Sequence, residues 1–272
     1  MRLEELFKVK TKAAVVACSN ALDERAREKI ANVQQTLGNL NVEAVCSTYL
    51  YANTIGSERA KVLMDFYRDE DLTEIFDVSG GDIANETLPY LEYDLIANTS
   101  KRFWGYSDLT TILNAIYTKT GKESVLYQVR FLKEDSVEDL FHVKYHFIQG
   151  SSMEGILVGG NIRCLLKLAG TQYWPDFSGK LLLLEARSGK VPQMITFLSQ
   201  LKQLGVFDKV AGILLGTFTE MEREGCTPTV EELVKQFAGN GIPIAKTYDI
   251  GHGADAKAIV IGKEYKFESK EN

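Results

Sequence analysis

The chain alternates short runs of aliphatic and β-branched residues with amphipathic stretches of ten or more, and this rhythm narrows its possible folds more than any other feature. Residues 12–17 (KAAVVA) read as a strand, 22–37 as a charged amphipathic helix and 42–45 as a second strand. Ser57 then caps a helix running to about Tyr67, residues 75–78 form a strand ending in Gly80-Gly81, and a helix follows around 85–91. Residues 102–106 read as a strand that runs straight into the helical pattern 109–117. Strands joined by helices of this length are crossover units, which set neighbouring strands parallel. The predicted fold class is therefore α/β, with a parallel-sheet βαβ domain at the N-terminus.

The rhythm breaks between 121 and 153. Residues 131–139 are charged, and the period-2 stretch 141–148 reads as a strand in a new context. The expected organisation is an N-terminal α/β domain over 1–130, a linker over 131–152 and a smaller C-terminal α/β domain over 153–272. The second domain is expected to hold helices at 161–168, 193–204 and 230–237. Its strands are expected at 180–185 and 210–215, with short closing strands near Ile259 and Tyr265. A chain of 272 residues, 45% of them hydrophobic, is long enough to bury two modest cores.

Charge and composition remove several function classes. The net charge of -6 is spread along the chain without a Lys/Arg-rich run, so no nucleic acid is expected as a partner. The longest apolar runs, such as Leu181–Leu184, fall far short of the ~20 residues that span a bilayer, so no membrane is expected either. The first residues carry Glu4 and Glu5 ahead of a short apolar stretch at 13–18, the wrong pattern for an export leader. Cys18, Cys46, Cys164 and Cys226 are widely spaced with no C-x-x-C pair. They read as small buried hydrophobes of a cytoplasmic protein, with no zinc site, redox motif or cofactor.

Three residue types carry chemistry. Ser107 sits in Gly105-Tyr106-Ser107-Asp108-Leu109, at a strand-to-helix junction that would expose its hydroxyl beside free helix amides. Leu109 stands where a nucleophile elbow would have its second glycine, so an ordinary N-cap explains the serine equally well. A hydroxyl nucleophile needs a base that titrates near neutrality, and the chain has three histidines. His142 and His146 lie on a strand-like alternation and do not read as metal ligands. His252 lies in Gly251-His252-Gly253, a loop that lets a side chain protrude, although a plain polar loop is the simpler account. Glu185 closes the run Leu181–Leu184 at a strand end and would orient such an imidazole, or it is merely a charge at a strand end. Gly80-Gly81 offers bare backbone suited to an oxyanion, or to a simple turn.

Several blocks, in order, resemble one known family. They are Gly80-Gly81-Asp82 leading to Leu88-Pro89-Tyr90, then Gly105-Tyr106-Ser107-Asp108, Gly159-Gly160-Asn161, Leu182-Leu183-Leu184-Glu185, the stretch from Gln200 to Gly212, and Gly251-His252-Gly253. Together they resemble the L,D-carboxypeptidase and microcin-immunity family of serine peptidases. The resemblance implies Ser107 as nucleophile, His252 as base, Glu185 as the orienting acid, and the amides of Gly81 and Asp108 as the oxyanion hole. It also implies a homodimer acting on a small peptide, by cleaving an amide next to a terminal D-amino acid of a murein-derived peptide. The alternatives are immunity-type cleavage of a peptidyl-nucleotide, with Trp104, Tyr106 or Trp174 as a platform for the base, and a non-catalytic peptide sensor. Two departures stand out: the chain is short for the family, and 121–130 (GKESVLYQVR) lacks the usual His-Gly-Pro stretch. Asn85 and Glu86 after Gly80-Gly81-Asp82 resemble the microcin-immunity branch more than the murein-recycling branch.

Overall fold

A computed structural model describes residues 10–269, so the reading of an export leader, which rests in large part on residues 1–9, lies outside the described part. The first half runs β1 (Thr11–Val16), α1 (Arg27–Asn39), β2 (Val42–Cys46), α2 (Gly56–Arg68), β3 (Glu74–Asp77), α3 (Tyr93–Asn98), β4 (Arg102–Gly105), α4 (Thr110–Thr120) and β5 (Ser124–Leu126). The second half runs β6 (His146–Gln149), β7 (Ser152–Asn161), α5 (Ile162–Leu166), β8 (Leu181–Ala186), α6 (Val191–Gln203), β9 (Gly212–Phe218), α7 (Thr219–Arg223), α8 (Val230–Ala238), β10 (Ile244–Lys246), β11 (Ile259–Ile261) and β12 (Glu264–Glu268).

These strands form two six-stranded sheets, ordered β11-β5-β4-β3-β1-β2 and β12-β7-β8-β9-β10-β6. Both are parallel at heart; in the first, β11 runs against β5 at one edge while the other edge, β2, is parallel to β1, and in the second both edges are antiparallel, β12 against β7 and β6 against β10. The aliphatic runs are unbroken because the central strands are buried on both faces. Ala14 and Val16 of β1 and Leu181 and Leu183 of β8 enter one central core that draws on both sheets. Their neighbours turn the other way, Ala13 and Val15 into a core under α1, Leu182 and Leu184 into a core under α6 and α8. Truncating one such leucine to alanine costs about 2–5 kcal/mol.

Several connections lock the halves together, two of them at the sheets themselves. The fully buried Asn114 of α4 exchanges two hydrogen bonds with the Gly159 backbone of β7, at 2.8 and 2.9 Å. After β10, in the second sheet, the chain crosses back and β11 pairs with β5 in the first.

The expected elements differ from the observed ones at several places. Residues 84–90 form a 3-10 helix, since Pro89 removes an amide and blocks an α-helix there, and α3 follows it. Helix α2 starts at Gly56 behind an Ile55 cap, so Ser57 lies inside its first turn; the Glu58 carboxylate accepts the Ile55 amide at 3.3 Å. Within the alternating stretch 141–148 the only strand is the start of β6, at His146. The longest strand, β7, gives no strand signal because Gly155, Gly159 and Gly160 interrupt its aliphatic pattern.

Candidate active site

Of the residues singled out by the sequence reading for chemistry, Ser107, Glu185, His252, Tyr106 and Gly80-Gly81 come together near the C-terminal ends of β4 and β8, while His142, His146, Trp104 and Trp174 do not line the cleft. Strand β4 ends at Gly105, and Ser107 takes φ 56° before the chain turns into α4. A left-handed conformation in a residue with a Cβ costs on the order of 1–3 kcal/mol, and at a strand-to-helix turn it pushes the hydroxyl out of the sheet edge. The hydroxyl does not cap the helix. It meets His252 Nε2 at 3.3 Å.

His252 lies on the loop between β10 and β11 and is held from three sides. Its Nδ1 is 2.8 Å from Glu185 Oε2, and the edge-on ring of Tyr106 lies 4.5 Å away between centroids. Gly251 brings the loop within reach: a Cβ there would fall 1.7 Å from Thr217 Oγ1, so a larger residue would force the loop away. Glu185 itself is wholly buried at the end of β8. Its approach to Nδ1 has the distance of an ion pair without the alignment of a hydrogen bond, and neither carboxylate oxygen has a hydrogen-bond partner. A carboxylate so placed is stabilised when the imidazole carries a proton, which is the state a general base reaches after it has worked.

On the other side of Ser107, Gly81 has φ 135°, and a Cβ there would lie 2.2 Å from Asn20 Oδ1. The same Asn20 oxygen accepts the Asp82 amide at 2.8 Å, which fixes the turn. The Asp108 carboxylate points away from the cleft and accepts from Ser19 Oγ at 2.7 Å, Ala84 N at 2.8 Å and Lys167 Nζ at 2.5 Å. Burial raises its pKa, but the bonds from Lys167 and Ser19 outweigh that and leave it below the ordinary 3.8. Lys167 also donates to the Asp82 carbonyl at 2.9 Å, so one cation ties the Gly81 turn to the residue after Ser107. Behind this turn the buried Asp77 accepts the Cys18 amide and both the amide and hydroxyl of Ser79, while the Ser79 oxygen accepts the Ser19 amide at 2.9 Å.

Ser107, His252, Gly81, Tyr106, Arg130 and Arg187 line a cavity of about 510 Å³. A second compartment of about 380 Å³ adjoins it and shares Gly81, Ser107 and Arg187. The geometry is that of acyl transfer: a hydroxyl, a base in contact with it, an acid behind the base and bare backbone beside it. Among the described residues no group of three or more His, Cys, Asp and Glu is placed to hold a metal ion. His142 is exposed and 3.4 Å from Asp139, and His146 stacks on Tyr248 at 6.2 Å, both away from the cleft. Of the aromatics expected as a platform, Trp104 is buried with its indole N–H on Glu74, and Trp174 packs edge-on against Phe177. The four cysteines are unpaired, and burial pushes the thiols of Cys18 and Cys164 up, away from reactivity. No described helix is long and apolar enough to cross a membrane.

Sequence reasoning missed Lys167, Ser19, Asn20, Arg130 and Arg187. Ser19, Asn20 and Arg130 follow strand ends, where the loops of an open α/β sheet gather around a ligand, and Arg187 is two residues from Glu185. Lys167 carries no comparable signal.

Residues 13–127 match the model of the LD-carboxypeptidase N-terminal domain and residues 154–267 that of the LD-carboxypeptidase C-terminal domain. The chain is 26% identical over 263 residues to the microcin C7 self-immunity protein of Escherichia coli, covering 79% of this chain and 76% of that one. It is 25% identical over 243 residues to the murein tetrapeptide carboxypeptidase of Pseudomonas aeruginosa, covering 79% and 78%. The solved structure of a microcin C7 self-immunity protein in complex with aspartyl sulfamoyl adenosine superposes with a TM-score of 0.84 at 21% identity, over 96% of this chain and 93% of that one.

Proposed function

The chain belongs to the LD-carboxypeptidase family of serine peptidases, and from that premise we propose that Ser107, His252 and Glu185 are its catalytic triad and the Gly81 and Asp108 amides its oxyanion hole. One observation carries the reading: hydroxyl, imidazole and carboxylate follow one another at 3.3 and 2.8 Å inside a cleft. The substrate is a murein-derived peptide, cut at the amide before a terminal D-amino acid. The name of the Pseudomonas relative supports this choice.

In this reading Ser107 Oγ attacks the scissile carbonyl carbon while its proton passes to His252 Nε2. The two amides receive the negative oxygen, and Glu185 stabilises the imidazolium. The C–N bond then breaks, His252 returns the proton to the leaving amine, and an acyl-enzyme remains. Water attacks that ester by the same path, releasing the shortened peptide acid and restoring the Ser107 hydroxyl. The protein works in the cytoplasm as a homodimer, a reading supported by the family resemblance and by the four unpaired thiols.

Mass spectrometry of a murein tetrapeptide after incubation tests this directly. Wild type should release D-alanine and Ser107→Ala should not; equal release by both would remove Ser107 from the mechanism. Labelling of Ser107 by a fluorophosphonate separates a hydrolase from a peptide sensor that only keeps the fold. A peptidyl-nucleotide could use the same triad; of the three aromatics named for its base, Trp104 is buried against Glu74 and Trp174 packs against Phe177, and Tyr106 alone lines the cleft.

A further inference from the structure

Arg130 and Arg187 reach the cleft from opposite halves of the molecule. Arg130 follows β5, the neighbour of the strand that leads to Ser107, and Arg187 follows Glu185 at the end of β8. Arg187 lines both compartments that meet at Ser107. Among the described residues neither guanidinium is ion-paired with a carboxylate, and the neutral Gln128 side-chain oxygen, with its amide turned to satisfy both groups, accepts from Arg130 Nε at 3.2 Å. The acid that shares the cleft, Asp23, is paired with Arg25 at 2.9 Å. Asp77, behind Arg130, already accepts from Cys18 and Ser79. Burial lowers the Arg130 pKa; the charge of Asp77 opposes this and that of Arg187 adds to it. Two like charges in one partly dehydrated cleft are unfavourable until an anion joins them.

A second observation points to the same spot. Tyr106 lines the cleft, and its buried hydroxyl has no hydrogen-bond partner. Burial pushes its pKa well up, with Glu185 adding and Arg187 opposing, so it stays a protonated donor. Two forked cations and a lone hydroxyl donor suit a carboxylate, whose oxygens accept from both. In a peptide cut one residue from its end, only the nitrogen and the α-carbon separate the scissile carbon from the terminal carboxylate. That anion must therefore lie in the cavity that holds Ser107.

We propose that Arg130, Arg187 and the Tyr106 hydroxyl form a subsite for the free terminal carboxylate of the amino acid that is released. The placement rests on the Ser107 reading, but anion binding does not require turnover, so the two are tested separately. In a Ser107→Ala background, titration calorimetry compares a murein tetrapeptide ending in free D-alanine with its C-terminal amide. The free acid should bind about 10- to 100-fold more tightly, as expected for charge-assisted bonds. Adding Arg130→Gln or Arg187→Gln should erase that preference while leaving amide binding unchanged, and Arg187→Lys should restore part of it. In the otherwise wild-type enzyme the same changes should raise KM with little loss of kcat and leave fluorophosphonate labelling of Ser107 intact. Equal binding of acid and amide would overturn the subsite, as would arginine variants that keep the preference. If the arginine changes weakened binding of a phosphoryl-bearing peptidyl-nucleotide analogue and not of the peptide acid, the anion would be phosphoryl and the carboxylate assignment wrong. An intact acid preference without Ser107-dependent cleavage would leave the subsite standing and remove the hydrolase reading instead.

Discussion

Asp108 and Glu185 are both fully withdrawn from water on opposite sides of Ser107, yet Asp108 is saturated with donors while Glu185 meets a single imidazole. The region around Asp108 behaves as a clamp: lysine, serine hydroxyl and backbone amide hold one charge, and that charge holds the Gly81 turn. The region around Glu185 is left incomplete. Its two oxygens and the nearby Thr217 hydroxyl lack hydrogen-bond partners, so its electrostatic energy depends on the protonation of His252. The difference separates a carboxylate that fixes the Gly81 turn from one whose single close polar neighbour is an imidazole.

That contrast can be broken by experiment, starting from the residue between the two regions. Ser107→Ala should lower kcat by about 10⁴-fold or more while the protein still unfolds cooperatively. Glu185→Gln should lower kcat by about 10³- to 10⁴-fold, because the amide no longer stabilises an imidazolium, with the urea midpoint little changed. Lys167→Met should act on stability first, costing about 3–5 kcal/mol by leaving Asp108 buried without its cation. If urea titrations instead showed Glu185→Gln unfolding the protein and Lys167→Met leaving it untouched, the roles given to the two carboxylates would be reversed.

A smaller effect sharpens the same point through pH. The Asp108 carboxyl is held below its ordinary 3.8, so its contribution to stability is complete above that value and is lost as pH falls through the depressed pKa. In Lys167→Met the loss should begin at a higher pH, seen as an earlier fall of the urea midpoint on acidification. The smallest effect belongs to a double change away from both regions. Replacing His142 and His146 with alanine should alter stability by no more than about 0.5 kcal/mol and leave turnover intact.

Much of the sheet architecture was legible because strands buried on both faces must be aliphatic throughout, as at Leu181–Leu184. The three groups that meet at the cleft were legible as types: a serine at a strand-to-helix junction, a histidine between glycines, an acid closing a strand. Their meeting was not, because 145 positions separate Ser107 from His252 and no local pattern encodes such a contact. Strand β7 was hidden by its own glycines, and β5 by having three residues. Lys167 escaped because its partners, Asp108 and Asp82, come from the other half of the chain. A surface-like lysine gives no hint in sequence that it will be drawn into a bonded cluster. Arg130 and Arg187 escaped for a related reason, since lone arginines in loops are ordinary.

The return of the chain from β10 to β11 has an architectural price beyond the pairing itself. His252 rides on a segment that leaves one sheet and is woven into the other, so its two ends are anchored to different bodies. Any shear between those bodies would pull the imidazole off the hydroxyl before it disturbed either core. A gene cut near residue 150 would yield an N-terminal fragment with β5 bare along one edge and a C-terminal fragment carrying an orphan strand. The two lobes are thus interlaced, and the position of His252 serves as a gauge of how they are seated.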